Sequence, residues 1–103
     1  MAAAQAEMAA RKKAAYADAQ RLAQVLREKY GCTRVVGIGS TFNEKDFTDR
    51  SDIDLVAFGL PEKKYFSISA EIGHLTSFEV DLIPAENARS LTMQIVEEEG
   101  VEL

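Results

Sequence analysis

One cysteine, Cys32, and one histidine, His74, are all that this 103-residue chain holds of the two commonest zinc ligands. A lone cysteine excludes an intramolecular disulfide, and one residue of each type leaves a Cys/His zinc site short of ligands. Cys32 falls where a strand is expected to begin, so it reads as a buried thiol rather than a nucleophile. Long hydrophobic runs are missing too. Nothing approaches the ~20 apolar residues of a membrane span, and the Ala-rich start lacks the continuous apolar stretch of a signal peptide. Residence in the cytoplasm, with no membrane partner, is the expectation.

Basic charge is scarce over most of the chain. Residues 1–30 carry six Lys or Arg against three acids, whereas residues 31–103 carry six against fourteen, so a net +3 segment precedes a net −8 segment. A broad footprint on a phosphate backbone is argued against by that balance. Arg11, Lys12 and Lys13 read as a solvated helix face before they read as a local nucleic-acid contact. With 47% apolar residues, the length suits one domain, residues 1–103, around a single modest core, with little room for a separate substrate-recognition domain.

The periodicity predicts a long helix over about Ala3 to Tyr30. Ala15, Ala19, Leu22 and Leu26, widened by Val25, form the stripe that covers a sheet. Met8 is the one large apolar side chain between Ala2 and Ala15, so the first turns are expected to overhang the core. Gly31 fits the helix end, and Thr33 to Ile38 reads as a buried strand with Val35, Val36 and Ile38. Residues 41–51, which carry Glu44, Lys45, Asp46, Asp49 and Arg50 around Phe42 and Phe47, read as a short helix or loop pinned by the two phenylalanines. A strand from Ile53 to Phe58 follows and is closed by Gly59 and Pro61. A short helix over about Glu62 to Gly73 comes next, then a strand from Phe78 to Ile83 ending before Pro84. A last helix, about Ala85 to Glu98, presents Ala88, Leu91, Ile95 and Val96 to the core and is followed by Gly100 and a short tail. Glu97, Glu98 and Glu99 oppose the dipole at its end, where they are solvated or meet a cation or basic partner. The order predicts an α+β fold: a small mixed sheet with helices packed on one face, the other face free to carry a site or to bind another chain.

Chemistry concentrates between Gly39 and Leu55. The small-residue turn Gly39-Ser40 lets backbone approach whatever lies beyond the first strand, and Asp52 and Asp54 open the second strand two positions apart. In a strand that spacing points both carboxylates to one face, where they can share a divalent cation. A third acid, Asp81, interrupts the apolar strand 78–83, a placement that is costly unless the side chain is exposed, hydrogen-bonded or metal-bound. Three acids at neighbouring strand ends repel one another, and a divalent cation offsets that repulsion.

This constellation resembles the catalytic core of the polymerase-beta-like nucleotidyltransferase superfamily, in particular its minimal members, over residues 33–83 and more loosely over the flanking helices 1–30 and 85–98. The resemblance implies that Asp52, Asp54 and Asp81 hold two Mg²⁺ ions, with Asp81 also a proton acceptor, and that Gly39 and Ser40 cradle the triphosphate of ATP. Where minimal members continue after Gly-Ser with an Arg-rich stretch and another glycine, this chain has Thr41, Phe42, Asn43 and Glu44, so Lys45 and Arg50 become the candidate triphosphate cations. The implied reaction transfers AMP to a protein hydroxyl, foremost a tyrosine of a cognate HEPN-type toxin for which the chain acts as antitoxin. Two rivals stand beside it: a non-catalytic module of the same fold that neutralises a partner by binding, and a structural homodimer formed through the free sheet face or the first helix.

Overall fold

Helix-favouring alanine, glutamine, lysine and arginine give the chain its longest element, α1, Ala2–Tyr30. The structure is a computed structural model and describes residues 2–45 and 47–103; Asp46, named above among the loop acids, lies outside the described residues. At 1.5 Å per residue, 29 helical residues span ~43 Å, close to the longest extent of the molecule, 46 Å. Ala15, Ala19, Leu22, Ala23 and Leu26 have no exposed surface. The expected stripe is therefore the packed one, except that Ala23 takes the place given to Val25, which is half-buried. The helix ends as its sequence predicts: Gly31 turns the chain with φ +73°, and the amide of Cys32 returns to the carbonyl of Leu26 at 3.0 Å. Met8 packs on the core and shares a cavity with Glu44, Lys45 and Phe47, whereas Gln5, Ala6 and Glu7 before it are exposed.

Among the described residues four strands follow: β1 (Arg34–Ile38), β2 (Ile53–Phe58), β3 (Val80–Pro84) and β4 (Val101–Glu102), in the spatial order β3-β2-β1-β4. β1 is antiparallel to β2 and β4, whereas β2 and β3 run parallel. The parallel pair needs a crossover. A 3₁₀ turn (Glu62–Lys64) and α2 (Tyr65–His74) provide it, seated by Ile68 and Ile72 and by the Tyr65 hydroxyl, which donates to the carbonyl of Leu82 at 2.8 Å.

Alternation splits the sheet into two faces. Val35, Ile53, Leu55, Ala57 and Leu82 face α1 and α2 in the larger core, with Cys32, Phe47 and Leu60 at its margins. Val36, Ile38 and Val56 form a smaller core on the other face with Ala85 and with Val96 of α3 (Ser90–Glu99). The mixed sheet and its helices are those expected, but the second face is not left free. Val36 and Val56 are opposite one another and wholly buried, and α3 is the element that covers them.

Three further corrections concern the C-terminal third. The final helix is interrupted: Ala85–Asn87 is a 3₁₀ turn, Ala88 and Arg89 are extended, and α3 begins only at Ser90. Val96 and Ile95 pack as expected and Met93 joins them, whereas Leu91 is 67% exposed. β3 starts later than expected and includes Pro84, which an edge strand tolerates because the missing N–H is not needed by a neighbour. The tail is β4. It pairs with Val36 and Gly37, its Glu102 accepts 2.9 Å bonds from Arg34 Nε, and the Leu103 amide donates to the carbonyl of Val35 at 3.0 Å.

Candidate active site at the acidic end of the sheet

The register fixes the acids before any side chain is considered. Asp54 lies opposite Ile38 on one side and Asp81 on the other, so Asp54 and Asp81 are lateral neighbours on one face. That face is the one carrying Val36, Val56 and α3, since Ile53 and Leu55 turn the opposite way into the larger core. Asp52 precedes the strand by one residue and falls on the same side by alternation. Ile53 secures the strand start by donating to the carbonyl of Glu79 at 2.9 Å.

Gly39 leads the chain out of β1 with φ +88°. A β-carbon built there would stand 2.9 Å from Oδ2 of Asp54. Only glycine therefore permits both the left-handed turn and the approach of this carboxylate to the backbone. Behind the turn, the amides of Phe42 and Asn43 both return to the carbonyl of Gly39 at 3.0 Å. Phe42 lies beneath Gly37, where an added β-carbon would stand 2.4 Å from its ring, and its other side meets the ring of Tyr16 with centroids 5.2 Å apart.

Thr41 and Ser51, which the sequence did not single out as functional, tie this turn to the acids. Thr41, 1% exposed, donates to the carbonyl of Asp52 at 3.1 Å. Ser40 donates to the hydroxyl oxygen of Ser51 at 2.9 Å, and Ser51 in turn accepts from the amide of Thr48 at 2.9 Å. The Ser40 hydroxyl is thus oriented from the residue that adjoins Asp52. Serine and threonine are too common in turns for these links to have been read from sequence.

The electrostatics are those of acids without a counter-charge. Burial, then Asp81, then Asp52 push the Asp54 carboxyl up to about 6 from its ordinary 3.8. The ion pairs of the described residues, Asp18–Arg21, Lys29–Glu71 and Arg34–Glu102, all lie elsewhere. Asp52 and Asp81 are exposed and Asp54 is half-buried. Among the described residues, no three Asp, Glu, His or Cys side chains are drawn together as a ready cage for a metal ion. The donor set itself fits a hard divalent cation: carboxylate oxygens, one desolvated and strained toward protonation, beside a turn that leaves room for them.

The remaining candidates sit on the loop. Lys45 and Arg50 are both exposed, and neither enters an ion pair among the described residues. The Lys45 amide donates to Oδ1 of Asn43 at 2.9 Å, and its side chain borders a cavity of about 490 Å³ shared with Met8, Lys12, Glu44 and Phe47. The described residues of the loop form turns and bends with no helix, and the two phenylalanines do pin it, Phe47 fully and Phe42 partly. Cys32 is buried as expected, which raises its thiol pKa, and no helix among the described residues is long and apolar enough to cross a membrane.

Comparison with known proteins gives this geometry a family. Among curated proteins none matches the chain in sequence. Solved structures do match in fold. Chains from two crystal structures of the toxin-antitoxin MntA-HpeT superpose with TM-scores of 0.69 and 0.68 at 16% and 20% identity, each match covering 82% of this chain and 70% or 69% of the other. Both are structures of mutants, and one of them has glutamate in place of two aspartates set two positions apart. The profile of the nucleotidyltransferase domain matches residues 19–103, which contain β1 to β4 and Asp52, Asp54 and Asp81, and the chain belongs to that family.

Proposed function

We propose that this protein is a Mg²⁺-dependent protein adenylyltransferase that moves AMP from ATP onto a hydroxyl of a partner protein, foremost a tyrosine of a cognate HEPN-type toxin. One observation carries the reading: Asp54 is held uncompensated beside Asp81, on the face of Asp52, and against the glycine of a Gly-Ser turn. Asp52, Asp54 and Asp81 would hold Mg²⁺, which when bound neutralises phosphate charge and acidifies the acceptor hydroxyl.

The chain's own groups then have distinct work. The turn at Gly39 offers backbone close to the acids, and Ser40, once it releases Ser51, offers a hydroxyl to a phosphate oxygen. Lys45 and Arg50 are exposed cations for the distal phosphates. Asp81, exposed at the sheet edge, is the residue placed to take the proton of the acceptor. The acceptor oxygen bonds to the α-phosphorus as the bond to the α–β bridging oxygen breaks, and pyrophosphate leaves with that electron pair. The matching structures are of a toxin-antitoxin, and an acceptor of that kind suits an acidic site open at the surface.

Incubation with α-labelled ATP, Mg²⁺ and the product of the adjacent gene, read by intact mass, tests this directly. The partner is expected to gain one AMP. Asp52→Asn and Asp54→Asn are each expected to abolish the gain without loss of fold. A stable complex with no mass increment under these conditions would replace the enzyme by a binding module that neutralises its partner through contact.

A further inference from the structure

Lys12 stands apart from the other basic residues of α1. Arg11 lies over the ring of Phe78 and Lys13 is exposed, but Lys12 is half-buried and reaches across to the loop behind the Gly-Ser turn. Its ammonium donates to the carbonyl oxygen of Asn43, and to that of Lys45 at 3.3 Å, residues 31 and 33 positions away in sequence. It also lies seven residues before the start of the nucleotidyltransferase match at residue 19.

The contact falls on the stretch of the loop that has no buried anchor. From Gly39 the loop is fixed first by the buried Thr41 and by Phe42 under Gly37, and next by the buried Phe47. Asn43, Glu44 and Lys45 bridge the gap with no buried side chain. Within the bridge the Asn43 side chain caps the Lys45 amide, and Lys12 takes two of its carbonyls. Because each peptide unit is planar and trans, turning the Asn43 carbonyl to α1 turns the Glu44 N–H away from it. The bridge thus faces its Asn43 and Lys45 carbonyls to the helix. Its position is continuous with the paired amides of Phe42 and Asn43 that close the turn onto Gly39.

We propose that Lys12 is a positioning residue for the nucleotide site: its ammonium clamps the 43–45 bridge to α1 and so sets the Gly39-Ser40 turn and Lys45 for the triphosphate. The proposal rests on the nucleotidyltransferase reading above, in a chain whose loop lacks arginine directly after Gly-Ser. Lysine suits the task because one ammonium with three donors can serve two carbonyls at once.

The test compares wild type with Lys12→Met, Lys12→Arg and Lys13→Met in the full chain. Amide hydrogen exchange is measured without nucleotide, then Mg·ATP binding and transfer kinetics. Lys12→Met is expected to speed exchange at Phe42 and Asn43 by about 10-fold, the counterpart of losing a hydrogen bond from a charged donor. The strands should exchange as before. KM for ATP should rise by a similar factor at unchanged kcat. Lys12→Arg should restore both, and Lys13→Met should alter neither. Should Lys12→Met fail to fold, Lys12→Gln, shorter and uncharged, carries the same comparison. Unchanged exchange and KM in the uncharged variant overturn the proposal, as does a fall in kcat alone. A wild type that binds no nucleotide sinks the enzyme reading and the nucleotide role of Lys12 together, leaving exchange to report a purely structural clamp.

Discussion

Replacing Asp54 by Asn should make the protein more stable while removing its activity, and the gain should depend on pH in a defined way. The Asp54 carboxyl has an ordinary value of 3.8 and stands at about 6 in the folded chain, displaced by burial first and by Asp81 and Asp52 after it. That displacement corresponds to ~3 kcal/mol of unfavourable ionisation. Because the group is only half-buried, solvent screening reduces the working figure to ~1–2 kcal/mol. The sign follows from proton uptake. Below pH ~4 the carboxyl is protonated folded and unfolded, so Asp and Asn should be nearly equal. Between pH ~4 and ~6 the folded chain binds more protons than the unfolded one, and wild-type stability falls as pH rises. Above pH ~6 the full penalty is present, and Asp54→Asn avoids it. Thermal unfolding in metal-free buffer should show the variant melting about 5–10 °C higher at pH 7.5 and within about 2 °C of wild type at pH 3.5, if both remain folded there. Millimolar Mg²⁺ should then raise the melting point of wild type and leave the variant nearly unmoved, since a bound cation favours the ionised acid. A variant no more stable than wild type at pH 7.5, or a gain of equal size at both pH values, would refute the electrostatic account of this site.

Two substitutions probe the scaffold around the acid. Gly39→Ala should cost ~1 kcal/mol or more for a side chain at φ +88°. By pressing on Oδ2 of Asp54 it should also weaken Mg·ATP binding at least as much as it lowers stability, which calorimetry and melting separate. Gly37→Ala puts a β-carbon into the Phe42 ring and should cost ~1–3 kcal/mol through overpacking. Phe42→Leu in the same chain should recover most of that loss, and a failure to recover it would mean that the clash is relieved in some other way.

Legibility in the sequence followed the range of the interaction. β2 was readable to the residue, Ile53–Phe58, because its apolar run, its opening acids and its Gly59-Pro61 stop are all local. The end of α1 was readable for the same reason, as a glycine after an unbroken helical stripe. The acids could be assigned to one face because alternation is intrinsic to a strand, although only the parallel register sets Asp81 beside Asp54. β4 was not readable, since two residues carry no period and exist as a strand only by pairing with Val36 and Gly37. Nor was the extended pair Ala88-Arg89 that divides the last helix, where tertiary packing overrides helix-compatible residues. The link from Lys12 to Asn43 and the hydroxyl chain from Thr48 through Ser51 to Ser40 leave no local trace for the same reason.

The second face of the sheet explains the electrostatic load on Asp54. Along β1 and β2 this face is apolar at Val36 and Val56, where Val96 of α3 seals it, and the apolar surface continues to Ile38, 7% exposed. One pair further across, Ile38 meets Asp54. The boundary between core and acid site is therefore a single cross-strand step, with no polar residue to grade it. Asp54 takes its desolvation from the Ile38 side and its repulsion from the Asp81 side, whereas Asp52 and Asp81 reach water. A cation-binding carboxylate gains from this placement: a partly dehydrated oxygen competes less with solvent for the ion and attracts it through a lower local dielectric. The packing of α3 on the face expected to lie free thus builds a second core and, on the proposed reading, a dry edge beside the acid.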